Sequence, residues 1–189
     1  MKSLHLTQPY ALILVGLPGS GKTMFGQKFA ETFNAPFVNA GYIAAHTDRP
    51  EDIQALSDYF LYEIARTKST FLIEGDASSR VRRTELVREL KKAGYQTLLL
   101  WVQIDEPTAE ARSRRQISPE EYSYRRRLFS PPHPTEHPLV ISGKHTYASQ
   151  AKVVLNYLAR QGGRTETPLA PPPQRPKPKV VGGSRITIE

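Results

Sequence analysis

The feature that most constrains the fold is the segment Gly16-Leu17-Pro18-Gly19-Ser20-Gly21-Lys22-Thr23, which matches the pattern G-x-x-x-x-G-K-[ST]. Its glycines allow the backbone to curl so that successive N–H groups point inward and form a nest for an anion. A helix that begins next to Gly21 directs its N-terminal dipole at the same place. Lys22 supplies a cation for the β- and γ-phosphates of a nucleotide, and Thr23 supplies a hydroxyl for Mg²⁺. The segment predicts binding of ATP with Mg²⁺ by Gly16, Gly19, Ser20, Gly21, Lys22 and Thr23.

The segments on either side of this motif agree with that interpretation. An apolar run at residues 11–15 precedes it and predicts a strand buried on both faces of a parallel sheet. An amphipathic pattern follows it and predicts a helix from about Lys22 to Phe33. The alternative is a chance glycine turn, but the fixed positions of the motif coincide by chance in only roughly one chain in a few hundred.

Strands and helices alternate along the rest of the chain. Further apolar runs predict strands at residues 36–39, 70–73, 97–104 and 139–141. Amphipathic patterns predict helices at residues 50–67, 79–93, 107–116, 119–128 and 147–158. Strands that alternate with long helices form βαβ units and a parallel sheet. We therefore expect an α/β fold of the P-loop NTPase class, with a parallel five-stranded sheet flanked by helices, over residues 1–161.

Residues 162–189 have a different composition. They begin with two glycines and continue as a stretch that is rich in proline and carries lysines and arginines. Such a composition cannot bury a hydrophobic core. We expect a disordered tail with polyproline II character.

Overall composition limits the classes of function. The formal net charge of +8 favours anionic partners, which include nucleotide phosphates, nucleic acid and acidic lipid. The absence of cysteine excludes disulfides, thiolate metal sites and cysteine nucleophiles. No apolar run approaches the roughly 20 residues that span a bilayer. We expect a cytoplasmic protein without membrane contact, either a monomer or a weak dimer.

Two acidic residues follow the predicted third strand. Glu74 and Asp76 would lie at the carboxyl end of a strand that neighbours the motif, where open α/β sheets bind their ligands. Carboxylates hold Mg²⁺ directly or through water. We expect at least one of the two to serve as a metal ligand; the alternative is a solvated loop with incidental acids.

Residues 71–83 read Phe-Leu-Ile-Glu-Gly-Asp-Ala-Ser-Ser-Arg-Val-Arg-Arg and resemble a segment of one group of P-loop kinases. That group includes the kinase domain of polynucleotide kinase, the zeta-toxin kinases and related small phosphotransferases. Glu74 falls at the position of the group's strand-end aspartate, and Arg80, Arg82 or Arg83 fall at its basic positions. The resemblance covers about residues 10–160 and implies transfer of the γ-phosphoryl group of ATP to a small hydroxyl-bearing or nucleotide-like acceptor.

The sequence departs from that group after the second strand. These kinases usually carry an aspartate there that orients or deprotonates the acceptor hydroxyl, whereas this chain has Gly41. Asp48, further along, is the candidate to replace it. This departure favours an alternative function, a nucleotide-binding regulatory or nucleic-acid-associated ATPase module with little transfer activity.

Arginines are concentrated in the two helices predicted after the fourth strand. In kinases of this fold, a helical lid at this place brings arginines to the transferring phosphate, where they stabilise developing negative charge. We expect Arg112 or Arg115 in that role ahead of residues 125–127. Alternatives are a solvated basic face and a nucleic-acid surface, in which Tyr122 and Tyr124 would stack on bases.

Several other residues carry weaker signals. The prolines around His133 and His137 exclude the helix that would place both rings on one metal ion. Their loop is more easily explained as a mobile segment that contacts substrate. Lys144 follows a strand-to-helix turn and is either near the nucleotide or simply exposed. Trp101, within an apolar strand, is expected in the core.

Overall fold

The computed structural model describes residues 4, 6–47, 49–75 and 77–161. Asp48 and Asp76, two of the acidic candidates, lie outside the described residues, as does the predicted tail at residues 162–189.

In the described residues, parallel strands form one five-stranded sheet in the order β2-β3-β1-β4-β5. The strands are β1 (Tyr10–Val15), β2 (Phe37–Asn39), β3 (Phe71–Glu74), β4 (Gln96–Gln103) and β5 (Leu139–Ser142). The helices are α1 (Lys22–Phe33), α2 (Ala40–Ala44), α3 (Pro50–Thr67), α4 (Arg80–Lys92), α5 (Glu106–Ser113), α6 (Pro119–Leu128) and α7 (Tyr147–Gln161).

Strand β1 is central, and every one of its residues is buried. Its side chains alternate between the two faces of the sheet, so each face needs its own helical cover. On one face, Leu12 packs with Phe25 of α1 and Val154 of α7. On the other, Ile13 packs in a second core with α3 and with Leu86 of α4. None of the helices in the described part of the chain is long and apolar enough to cross a bilayer.

This architecture confirms the predicted α/β fold with its parallel sheet between helical layers. Helices α5 and α6, hereafter the lid helices, follow β4 where the sequence placed them. Helix α5 ends at Ser113, earlier than the predicted residue 116. The sequence analysis missed α2, which has five residues. A helix of this length has too few turns to show an apolar period, and its signal is the Asn39 cap, whose side chain accepts a hydrogen bond from the Tyr42 N–H.

Because the strands are parallel, their carboxyl ends lie at one edge of the sheet. There β1 leads into the glycine motif, β2 ends at Asn39, β3 at Glu74 and β5 at Ser142. This edge therefore brings together the glycine motif and Glu74, which the sequence analysis selected for a ligand site, with Asn39 and Ser142, which it did not select.

A buried ion pair anchors the segment that joins the lid helices to β5. Arg83 of α4 is 1% exposed, and its Nε and Nη2 donate to the two carboxylate oxygens of Glu136 at 2.7 and 3.0 Å. Its Nη1 donates to the carbonyl oxygens of Ala77, Ser78 and Ser130 at 3.2, 3.3 and 2.9 Å. The Arg83 guanidinium also holds the pKa of Glu136 below its ordinary value. One side chain thus joins the loop after β3 to the segment after α6.

Replacing Glu136 with Ala should lower the free energy of unfolding by about 3–5 kcal/mol, because it leaves a buried guanidinium without its carboxylate. Urea unfolding measures this loss. Glu110→Ala is the control, since Glu110 pairs with the exposed Arg114, and should cost about 1 kcal/mol or less. The double variant Arg83→Met/Glu136→Leu should recover much of the stability. Equal losses for Glu136→Ala and Glu110→Ala would contradict this account.

Candidate functional site

The glycine motif forms a compact loop that packs directly on the lid. Gly19 and Gly21 have φ values of 77° and 98°, in the left-handed region that favours glycine. A Cβ atom at Gly19 would collide with the carbonyl oxygen of Ala109 in α5. The Ser20 N–H donates to the carbonyl oxygen of Leu17 at 3.1 Å and closes the turn. Glycine is therefore required at residue 19 both for its backbone conformation and for the contact with α5.

The end of β5 also touches the loop. A Cβ atom at Gly143 would collide with the carbonyl oxygen of Ser20. The Gly143 N–H donates to the carbonyl oxygen of Gln103 at 2.8 Å, and its own carbonyl accepts from Nη1 of Arg112 at 2.9 Å. The loop thus lies between α5, the first lid helix, and the end of β5, the last strand in the sequence.

Lys22, Thr23 and Glu74 meet where α1 begins and β3 ends. Thr23 Oγ1 donates to Glu74 Oε1 at 2.9 Å, and Lys22 Nζ lies 3.9 Å from the same oxygen. Lys22 Nζ donates instead to the carbonyl oxygen of Leu17 at 2.9 Å. Asn39 Nδ2 donates to Glu74 Oε2 at 3.4 Å. Three segments that are distant in sequence thus converge on one carboxylate.

Burial perturbs both charges of this cluster. It lowers the pKa of Lys22, against the attraction of Glu74, while Arg125 lowers it further. Burial raises the pKa of Glu74, against the effects of Lys22 and the Thr23 hydroxyl. For both groups, the cost of burying the charge exceeds the gain from the oppositely charged neighbour. A phosphate near Lys22 would stabilise the charged lysine, and a cation near Glu74 would stabilise the charged carboxylate.

The donor set fits Mg²⁺. A threonine hydroxyl and a carboxylate are hard oxygen ligands, and Mg²⁺ is typically held by one or two protein oxygens together with phosphate oxygens and water. No group of three or more His, Asp or Glu side chains in the described residues is arranged to hold a metal ion by itself. Thr23 and Glu74 are the described residues that would hold the ion; Asp76, the other predicted ligand, lies outside the description.

A cleft of about 420 Å³ opens above this cluster. Its floor is the glycine loop with Lys22, Thr23 and Glu74. One wall comes from residues 39–45, and the opposite wall comes from the lid helices and includes Gln116 and Arg125. The cleft is therefore larger than the phosphate site and extends between α2 and the lid.

The predicted lid arginines take different positions. Arg125 lines the cleft and pairs with Glu121, from its Nε to Oε1 at 2.6 Å. Arg112 donates to Gly143, as described above, and Arg115 is exposed. Neither Arg112 nor Arg115 is among the residues that line the cleft. The geometry brings Arg125, a second-rank candidate of the sequence analysis, to the place where a lid cation would act.

The weaker sequence signals also have defined places. His133 caps a short 3₁₀ helix with its side chain, and the Arg83–Glu136 ion pair anchors the segment that contains it. Lys144 pairs with Asp105 at 2.6 Å. Trp101, expected in the core, is only half-buried, because its side of β4 faces a second cavity. Arg83, one of the basic positions in the kinase resemblance, is a buried structural residue.

Among the residues of the cleft that sequence reasoning missed are Asn39 and Phe129. Asn39 touches Glu74 and caps α2, and its signal was a cap residue immediately after an apolar strand. Phe129 follows α6 and lines the cleft on the lid side. An aromatic residue at the end of a charged helix gives no functional signal, so Phe129 could be found only from the fold.

Solved structures share this fold over most of their length. A gluconokinase from Sinorhizobium meliloti 1021 aligns over 82% of this chain and 94% of its own, with 20% identity and a TM-score of 0.57. A sugar kinase from Janibacter sp. HTCC2649 aligns over 80% and 95%, with 14% identity and a TM-score of 0.60. Kti12 from Chaetomium thermophilum, in complex with ADP-AlF3, aligns over 79% and 97%, with 14% identity and a TM-score of 0.62.

At these identities the likeness shows the fold alone, and the chain has a P-loop kinase-like fold. No family model matches the sequence. No curated protein matches it either.

Replacing Lys22 with Ala should weaken ATP binding about 10- to 150-fold, the value of one charge-assisted hydrogen bond, and leave the fold intact. Titration calorimetry with MgATP measures the affinity, and thermal unfolding checks the fold. Lys28→Ala is the matched control, because Lys28 is an exposed lysine on the same helix outside the cleft. An unchanged ATP affinity in Lys22→Ala would refute the assignment of the phosphate site.

Proposed function

We propose that this protein is a P-loop kinase that moves the γ-phosphoryl group of ATP to a small hydroxyl-bearing or nucleotide-like acceptor. The observation that carries the proposal is the shape of the cleft, which continues from the phosphate loop into a space between α2 and the lid. This space lies beside the place of the γ-phosphate, where an acceptor hydroxyl would have to be held for transfer. Residues 1–161 would form the kinase domain, within the cytoplasm.

The residues of the site have distinct roles in this proposal. The backbone N–H groups of the glycine motif, other than at Pro18, which has none, bind the phosphates, and Lys22 neutralises charge on the β- and γ-phosphates. Thr23 and Glu74 would hold Mg²⁺, which would screen the phosphate oxygens when bound. An acceptor oxygen forms a bond to the γ-phosphorus while the bond from that phosphorus to the bridging oxygen breaks, so ADP leaves and the acceptor hydroxyl releases its proton to solvent. Since such transfer needs little covalent help, positioning and charge supply most of the rate.

We favour Arg125 as the lid cation because it lines the cleft and because its positive charge lowers the pKa of Lys22. Its ion pair with Glu121 joins half-exposed side chains, with 55% and 42% exposure. Exposed pairs of this kind contribute about 0–1 kcal/mol, so the guanidinium can exchange Glu121 for a phosphoryl oxygen at little cost. Arg112 and Arg115 remain the sequence-based alternatives for this role.

The second candidate function is a nucleotide-binding regulatory module or ATPase with little transfer activity. It is favoured by Gly41, which lines the cleft wall without a side chain, where the related kinases carry an acid. Among the described residues that line the cleft, Glu74 is the only carboxylate, and Thr23 and Asn39 already contact it. Whether Asp48 supplies the missing acid stays a prediction, as does the specific likeness to polynucleotide kinase and the zeta-toxin kinases.

A nucleic-acid partner has less support among the lid arginines. Arg114, Arg125 and Arg126 each pair with a glutamate of the lid helices. Breaking one exposed pair costs little, but a polynucleotide would have to break several at once, which lowers the affinity expected for it.

Incubation with γ-labelled ATP, Mg²⁺, pooled metabolites and nucleic-acid ends should transfer label to an acceptor, which chromatography then identifies. The Lys22→Ala variant is the control for contaminating kinases and should transfer none. Label that appears only as inorganic phosphate would contradict the kinase proposal and support the ATPase alternative.

With that acceptor, Arg125→Ala should lower turnover about a hundredfold or more and change ATP affinity much less, because the guanidinium meets more charge in the transition state. Arg125→Lys should recover only part of the rate, since lysine lacks the planar fork. Arg112→Ala and Arg115→Ala, measured in parallel, rank the three candidates, and Arg114→Ala is the control. Full turnover in Arg125→Ala would remove Arg125 from the mechanism.

A further inference from the structure

A second cavity, of about 260 Å³, lies next to the phosphate loop. The residues that line it include Leu17, Trp101, Phe129 and Pro131. Phe129 also lines the main cleft, so the two spaces meet at this residue. Leu17 connects them at the loop, because its carbonyl oxygen accepts the hydrogen bond from Lys22 Nζ at 2.9 Å. We call this space the Trp101 cavity.

Trp101 owes its partial exposure to this cavity. It lies on β4 on the same face of the sheet as Leu99, which is buried in the second core. Two residues further along the strand, Trp101 has no such helical cover and is half-buried. Its indole N–H has no hydrogen-bond partner among the described residues. Trp101 thus contributes an aromatic ring and a polar N–H group to a cavity next to the phosphate loop.

The walls of the Trp101 cavity select for an uncharged ligand. Most of them are apolar or aromatic, and the charged residues at the cavity, Glu106 and Arg126, form an ion pair with each other. The Arg126 guanidinium lowers the pKa of Glu106, which keeps this carboxylate ionised and paired. Because these two charges balance each other, the lining carries no net charge that would attract an ionic ligand. A neutral ring, in contrast, can stack on the indole or on Phe129.

We propose that the Trp101 cavity binds an uncharged planar ring that forms one end of the acceptor. This inference rests on the proposed kinase function and narrows its substrate class to hydroxyl compounds that carry a heteroaromatic or phenolic ring. At about 260 Å³ the cavity is larger than the roughly 150 Å³ of an apolar cavity that binds benzene, so a ring can fit. Phe129 lines both spaces, so a ring bound in the Trp101 cavity lies next to the cleft, and the inference requires its hydroxyl to extend past Phe129 towards Arg125.

Trp101 is the single tryptophan of the chain, so its emission reports on the occupancy of the cavity. The probes are adenosine, uridine and tyrosol, and each is titrated in saturating MgADP so that the nucleotide site is filled. At least one ring compound should quench the emission in a saturable way, whereas gluconate, a non-planar polyol, should not. Absence of saturable quenching by all three, or equal quenching by gluconate, would overturn the inference.

Two variants locate the bound ring. Phe129→Ala should weaken binding of the quenching probe about 5- to 150-fold, the range that loss of one stacking residue gives. Leu128→Ala is the matched control, because the preceding residue is exposed and lines neither cavity, and it should not change binding. Trp101→Leu, followed by calorimetry, should weaken the same probe while MgADP affinity changes less than about twofold. Unaltered binding in Phe129→Ala and Trp101→Leu would also overturn the inference.

The binding and transfer measurements separate this inference from the kinase proposal. If ring compounds bind as expected but none receives label from ATP, the cavity inference stands and the kinase proposal fails. If label enters an acceptor whose KM is the same in Trp101→Leu and the unmodified protein, the kinase proposal stands and the cavity inference fails. A specific effect on the acceptor raises its KM in Trp101→Leu and leaves the KM for ATP unchanged.

Discussion

The contact between Thr23 and Glu74 is the interaction on which the rest of the site depends. It joins the first turn of α1 to the end of β3 through two residues that are 51 positions apart in the chain. It also sets the distance between the lysine cation and the carboxylate, which lie 3.9 Å apart. The chain itself therefore holds the groups that would contact phosphate and metal, and ligand binding need not order them. Preorganised charges of this kind are worth most in a site that excludes water.

Contacts with the rest of the domain restrain the lid helices at both ends. Gly19 packs on α5 at one end, and the Arg83–Glu136 ion pair holds the segment that follows α6 at the other. Between these anchors, the arginine that lines the cleft is restrained mainly by a half-exposed partner. In the proposed mechanism, Arg125 would therefore act by exchange of its side-chain partner, without a large swing of the helices. This differs from a hinged lid, in which loop backbone absorbs the motion.

The features that could be predicted from the sequence are those that depend on residues close together in the chain. The apolar strands, the glycine loop and most helix bounds follow from residues that are neighbours in sequence, and the parallel sheet follows from their order. The position of Arg125 in the cleft does not follow, because it depends on how α6 crosses the end of the sheet. Likewise, no sequence pattern links Arg83 with Glu136, which are 53 positions apart. Trp101 was expected in the core because an apolar strand does not show where its helical cover ends.

The contact between Gly143 and Ser20 has a consequence for how the protein is made. The phosphate loop is synthesised early, but one side of it is supplied by the end of β5, which emerges from the ribosome only after most of the domain. Arg112 also needs the Gly143 carbonyl oxygen to complete its hydrogen bond. A nascent chain that stops before β5 would have every residue of the glycine motif and still lack the surface that holds the loop in shape. A phosphate site on this loop would therefore be complete only after β5 has been synthesised.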